Sequence, residues 1–103
     1  MSQFDNVSVV KKANVYYDGK CVSHTVLFPN GARKSLGIIF PNKLSFTPSK
    51  PEVMEITSGA CRARVGEGGE WKEYQAGERF SVPANTTFEI ETDRVLEYVC
   101  HVE

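Results

Sequence analysis

Pro51-Glu52-Val53-Met54-Glu55-Ile56-Thr57-Ser58-Gly59, followed by Tyr74-Gln75-Ala76-Gly77-Glu78-Arg79-Phe80-Ser81-Val82-Pro83, is the stretch whose reading decides the fold. Alternation from Glu52 puts Met54 and Ile56 on its own face and Glu55 and Thr57 on the other, the period of a strand with one face turned inward. The same kind of segment recurs on both sides: short runs rich in Val, Ile, Phe, Tyr and Thr, separated by Gly, Pro and Asn clusters. No stretch sustains a helical period. Strands are predicted at 13–17, 21–28, 33–40, 43–46, 52–58, 60–65, 70–74, 79–82, 87–92 and 96–102. Asp18-Gly19 is a two-residue hairpin signal, because both central residues of the favoured turn need positive φ. Pro29-Asn30-Gly31 and Gly66-Glu67-Gly68-Gly69 are further reversals. Thr47-Pro48-Ser49-Lys50-Pro51 carries two prolines that deny ladder donors and enforce an extended loop just before Glu52. So many short strands in one short chain leave an all-β sandwich or barrel.

The 103 residues suffice for one domain with one core, taken as 1–103. Hydrophobic residues make up 41% and charged residues 24%, without an apolar run near the ~20 residues of a membrane span. The segment from Met1 to Val10 is polar and mixed, unlike a signal peptide. Twelve Lys and Arg against thirteen Asp and Glu give a formal charge of -1, with no basic footprint for nucleic acid. Cys21, Cys61 and Cys100 are an odd number at wide spacings, which argues against a disulfide framework and for reduced thiols in a cytoplasmic protein.

The spacings Glu52 to Gly59 and Gly77 to Pro83 resemble the two motifs of the cupin family, which implies a single cupin-type antiparallel β-barrel of double-sheet, jelly-roll-like form. Cupins usually hold a metal on two histidines and a glutamate from the first motif and a histidine from the second. Here the paired histidine positions fall at Ser45 and Thr47 and the second-motif position at Phe88, so Glu52 alone survives. One carboxylate with two hydroxyls is too weak a set for zinc, iron or nickel, and too few oxygens for magnesium or calcium. No metal or other cofactor is expected.

The fuller set of Gly37-Ile38-Ile39-Phe40, Phe46-Thr47-Pro48, the two motif segments and Tyr98-Val99-Cys100, in this order and at this length, resembles the pyrimidine/purine nucleoside phosphorylases over about residues 4–102. The resemblance implies a broad-specificity pentosyltransferase that splits nucleosides with inorganic phosphate as co-substrate, giving free base and pentose 1-phosphate. Such a reaction passes through a sugar cation-like transition state, so the protein must hold phosphate, stabilise positive charge on the sugar and release the base. Phosphate is itself the nucleophile, so no activated Ser or Cys is required.

Arg33 with Ser35, alternating onto one strand face, are the candidates for phosphate: a planar guanidinium fork and a neutral donor. Ser45, Thr47 and Tyr98 are further candidate donors. Glu52, inward in the cupin pattern, is the catalytic candidate beside Arg33: it can bind ribose hydroxyls, offset charge on the ring, or protonate the leaving base. Phe46, Met54 and Phe88 are the candidate walls of a base and ribose pocket, although aromatic residues in such runs are more often core. Glu55 is expected in solvent or at a dimer contact, His24 and His101 as ordinary strand residues. A homodimer pairing through Phe4 to Tyr17 is expected, with no nucleic-acid or membrane partner. The competing reading is a non-catalytic sugar- or small-metabolite-binding cupin, since one acid among hydroxyls also suits a polyol.

Overall fold

The computed structural model of the chain describes residues 2–102. Eleven strands follow in chain order: β1 (Ser8–Val9), β2 (Asn14–Tyr16), β3 (Cys21–Leu27), β4 (Arg33–Ile39), β5 (Asn42–Phe46), β6 (Glu52–Ser58), β7 (Ala60–Val65), β8 (Lys72–Gln75), β9 (Arg79–Val82), β10 (Phe88–Thr92) and β11 (Leu96–Val102). They form two antiparallel sheets. The larger runs β1-β3-β4-β11-β6-β9, with β2 also on β3; the smaller runs β5-β10-β7-β8. The result is a cupin-type double-sheet sandwich in which no strand closes the two sheets into a continuous barrel.

The motif residues are where the chain changes sheet. Gly59 ends β6 at φ 89, and the chain enters the opposite sheet at β7. A Cβ there would lie 2.9 Å from the Val95 carbonyl oxygen, so both conformation and space demand glycine. At Gly77, φ 94, the amide donates 2.8 Å to the Ile56 carbonyl and fixes the turn that returns the chain to β9. Pro83 then stops β9 before the chain crosses to β10.

Two sequence expectations are refined. Ser8–Val9 adds a strand that was not predicted, since two residues carry no readable period; it pairs with Val26–Leu27. In the Asp18-Gly19 turn both residues have positive φ, 55 and 93, and the Lys20 amide bonds the Tyr17 carbonyl at 3.2 Å. Tyr17 is itself left-handed at φ 51, so the ladder stops at Tyr16 opposite Cys21 rather than reaching Tyr17. Within the segment 4–17, Ser8–Val9 and Asn14–Tyr16 pair with β3 on one side.

The core lies between the sheets. Ile39, Ile56 and Leu96 from the large sheet and Ile90 from the small one are each at most 1% exposed, and each such side chain contributes about 1.5–3 kcal/mol of burial free energy. Towards one end the aliphatic packing gives way to rings: Phe46 stacks on Phe88 at 5.6 Å, Phe88 meets Phe80 edge-on at 5.8 Å, and Phe80 lies 4.8 Å from Tyr74. At this end the interior opens.

Candidate active site

Cross-strand register builds the site in rows on the inner face of the large sheet. Cys100 lies opposite Ser35 on β4 and Met54 on β6; one step along, Tyr98 lies opposite Gly37 and Ile56, and Gly37 opposite Ser23. Glu52 pairs with Val102 and Val82 at the row nearest the opening. Tyr16 reaches the same face through its pairing with Cys21. Between these rows and the aromatic end of the small sheet is a cleft of about 220 Å³. Glu52, Ser23, Ser35, Thr47, Tyr98 and Tyr16 bring polar groups to it; Met54, Phe46, Phe88 and Pro48 form its apolar walls.

The polar groups are held by their surroundings. The Thr47 and Thr87 hydroxyls share a 2.7 Å hydrogen bond, and the Asn85 amide donates 2.7 Å to the Pro48 carbonyl, so the proline loop is pinned to the loop leading into β10 as one rim. Asn14 Nδ2 donates 3.3 Å to Ser23 Oγ and 3.2 Å to Thr25 Oγ1. Tyr98, only 7% exposed, shares a 3.4 Å hydrogen bond with the Cys21 thiol. Burial first, and that hydrogen bond second, push the Tyr98 phenol well above its ordinary range. It is a neutral donor or acceptor across the whole working pH range.

Glu52 is half-buried, and burial is the main cause of a carboxyl shifted above its usual range; a hydrogen bond from the Cys100 thiol pulls partly the other way. The same carboxylate, after burial, keeps Cys100 protonated. An acid raised in the folded state binds protons the unfolded chain has released, so its ionisation weakens the fold as pH rises through the window between the ordinary and the raised value. Glu52→Gln is therefore expected to melt higher than the wild type at about pH 7.5, the difference shrinking towards zero at about pH 4. Thermal melts across that range check it.

The donor set does not fit the metal that cupins usually hold. Among the described residues no three His, Cys, Asp or Glu side chains gather closely enough to hold an ion. Both histidines are on the outer face. His24 Nδ1 lies 3.1 Å from the Val10 carbonyl, and His101 bridges Glu55 at 2.8 Å and Lys34 at 2.6 Å. Glu55, expected in solvent or at a dimer contact, instead anchors His101 and approaches Arg79 at 3.5 Å.

Of the sequence candidates, Glu52, Ser35, Thr47, Tyr98, Phe46, Met54 and Phe88 come together in the cleft. Ser45 does not: with Leu44 and Phe46 facing inward, alternation turns Ser45 out, opposite Glu89 on the charged outer face of the small sheet. Arg33 shares the inward parity of Ser35 but is exposed at the end of β4, beyond the lining of the cleft. Tyr16, Ser23 and Cys100 are lining residues that the site reading did not single out. The signal for Tyr16 was present, because the Asp18-Gly19 turn pairs it with Cys21, whose strand parity matches Ser23.

A two-sheet sandwich of this topology, open at one end over an inward carboxylate, defines the chain as a cupin-type protein with a small polar cleft. The family model for pyrimidine/purine nucleoside phosphorylase matches residues 11–102, and the chain belongs to that family. It is 62% identical over its full length, and the relative's, to the pyrimidine/purine nucleoside phosphorylase of Methylobacillus flagellatus. It is 61% identical to that of Cupriavidus necator, over 98% of this chain and 96% of the relative. Among solved structures, a protein of unknown function from Acinetobacter sp. ADP1 superposes with a TM-score of 0.95 at 51% identity, covering 98% of each chain.

Proposed function

We propose that the chain is a broad-specificity nucleoside phosphorylase that cleaves purine and pyrimidine nucleosides with inorganic phosphate and without a metal. Family membership over nearly the whole chain carries the reading. Its chemistry agrees with the cleft: a single buried-edge carboxylate among neutral hydroxyls suits a pentose, and apolar walls tolerate either base. The cleft volume of about 220 Å³ is below the roughly 300 Å³ at which pockets begin to enclose whole drug-sized ligands, so the pentose goes inside and the base sits at the mouth.

In the reaction the C1′–N bond breaks with its electron pair leaving on the base, a phosphate oxygen forms the new bond to C1′, and the proton that hydrogen phosphate gives up ends on the base nitrogen, directly or through water. Ser35, with Arg33 reaching in from the end of β4, holds the phosphate; Tyr98 supplies a neutral hydroxyl. Glu52 accepts hydrogen bonds from ribose hydroxyls as a carboxylate and faces the positive charge that grows on the ring. Its partial burial strengthens that field relative to water.

The pH dependence separates the two roles. A carboxylate that must be charged makes kcat/KM fall on acidification, with an apparent pKa above the ordinary carboxylate value of about 4.3 because burial raises it. A profile lost instead on the alkaline side of that value would assign Glu52 as the acid that protonates the base. The activity itself is tested by release of free base from adenosine, inosine, guanosine, uridine, cytidine and thymidine, with and without phosphate, in chelator-treated buffer. Cleavage of both base classes only with phosphate is expected; binding without turnover would turn the reading towards a sugar-binding cupin.

A homodimer in the cytoplasm completes the proposal. Val9 at 56% and Val15 at 62% exposure present apolar surface along the open outer edge of the N-terminal strands. The three cysteines are free, as suits a reducing compartment. Among the described residues no helix is long and apolar enough to cross a membrane.

A further inference from the structure

The hydroxyl of Tyr16 belongs to the polar lining of the cleft, but its exposed ring is used neither by the core nor by the chemistry of the pentose. It lines the cleft, yet its side chain is 43% exposed at the mouth, on the last residue of β2. Its ring meets Phe46 edge-on, at 5.9 Å and an interplanar angle of 88°. Phe46 in turn stacks flat on Phe88, so the mouth has one aromatic face already packed and a second ring standing beside it with area uncovered.

The residue that follows explains how Tyr16 is held. Tyr17 has φ 51, a left-handed conformation that a bulky side chain adopts only under constraint, and Asp18 continues it at φ 55. That conformation throws the Tyr17 ring across from the large sheet to the small one. There it lies edge-on to Phe46 at 5.6 Å, and its hydroxyl donates to the Ser45 carbonyl. The turn is thus strapped across the opening at a residue where a glycine would be the easier choice, and Tyr16 stands at the root of the strap. Strain retained beside a cleft points to a positional demand rather than to stability.

Resting on the phosphorylase reading above, we propose that Tyr16 is the base-stacking residue of the site, fixed in place by the Tyr17 strap. A nucleobase at the mouth would lay its face on the exposed Tyr16 ring while its pentose occupied the polar interior. Stacking is tolerant of base identity because every base has a π face, and it grows with ring area. Purine and pyrimidine nucleosides are then both accepted, through one contact that reads neither hydrogen-bonding edge.

Steady-state kinetics with adenosine, uridine and phosphate test the assignment on Tyr16→Ala, Tyr16→Phe and Tyr17→Gly. Tyr16→Ala is expected to raise the nucleoside KM about tenfold or more, adenosine more than uridine, with the phosphate KM changed less than about twofold. Tyr16→Phe keeps the ring and is expected to stay within about threefold of the wild type. Tyr17→Gly relieves the left-handed strain but removes the ring and hydroxyl that tie the turn to Phe46 and Ser45, so the melting temperature is expected to fall while the nucleoside KM rises at least about threefold and the phosphate KM changes less than about twofold; a merely structural strap would raise both KM values together. Equal loss on nucleoside and phosphate in Tyr16→Ala, or no change in nucleoside KM, would overturn the proposal. Calorimetric binding of adenosine to the wild type and Tyr16→Ala separates this proposal from the reading beneath it. A wild type that binds adenosine but never cleaves it would refute phosphorolysis alone, and weaker binding by Tyr16→Ala would then still support the platform. A wild type that binds no nucleoside would overturn both.

Discussion

Replacing Glu52 by glutamine is expected to lower kcat/KM for nucleoside phosphorolysis by about 10²–10³-fold, the range lost when a preorganised group facing developing charge is removed. The substitution keeps size and hydrogen-bonding shape but deletes the negative charge, so the loss reads electrostatics rather than packing. Because burial shifts the Glu52 carboxyl above its usual range and so disfavours its ionised form, the variant is expected to fold at least as well as the wild type at neutral pH. Impaired turnover in a more stable protein is the signature of a site that spends stability on function. Glu55→Gln is the matched control. Glu55 is three residues along the same strand, of opposite parity, bound to His101 outside the cleft, and its loss is expected to change kcat/KM less than about threefold. Parallel loss in both variants would mean that the strand, not the inward carboxylate, carries the effect.

Gly37→Ala is expected to be strongly destabilising, because the added methyl group meets a buried ring. Gly37 lies opposite Tyr98, and a Cβ there would overlap the Tyr98 ring, reaching 2.5 Å from Cε1 and closer still to Cζ and Oη. The φ of Gly37 is not the obstacle; space is. Tyr98 is buried against Cys21 and cannot swing aside without breaking that contact. Overpacking of this kind costs about 2–3 kcal/mol, or roughly 10–20 °C in melting temperature for a domain of this size. Activity is expected to fall as well, because the displaced ring lines the cleft. Pairing Gly37→Ala with Tyr98→Leu, which removes the obstructing ring, should recover much of the stability but not the activity. A melt within about 3 °C of the wild type for Gly37→Ala alone would show that the ring is free to move and that the tight approach has no structural role.

Much of this architecture was legible in the chain because it is local. Period-two alternation around Glu52, Met54 and Ile56 marked the inward face, and Gly59 and Gly77 marked the turns through which the chain changes sheet. The same rule, applied from Leu44 and Phe46, puts Ser45 outside; superimposing the metal-ligand spacing of other cupins on this strand obscured that. What remained hidden depends on register between strands distant in sequence. Ser23 faces the cleft because β3 pairs with β4, and Cys100 lines it together with Glu52 because β11 is inserted between β4 and β6. No local pattern encodes those neighbours. The left-handed Tyr17 was likewise invisible, since tyrosine has no intrinsic preference for positive φ and is held there by Phe46 and Ser45 across the opening. Arg33 illustrates the opposite limit: strand parity put it on the inward face, but only the end of β4 reveals that it stands outside the cleft lining.

The most direct test follows phosphorus. Uridine and inosine are each incubated with the protein and inorganic phosphate in chelator-treated buffer while ³¹P NMR tracks the phosphate resonance. Phosphorolysis predicts that a pentose 1-phosphate signal grows in step with released base for both nucleosides, and that neither appears with Glu52→Gln on the same timescale. Release of base with free pentose and an unchanged phosphate signal would contradict it.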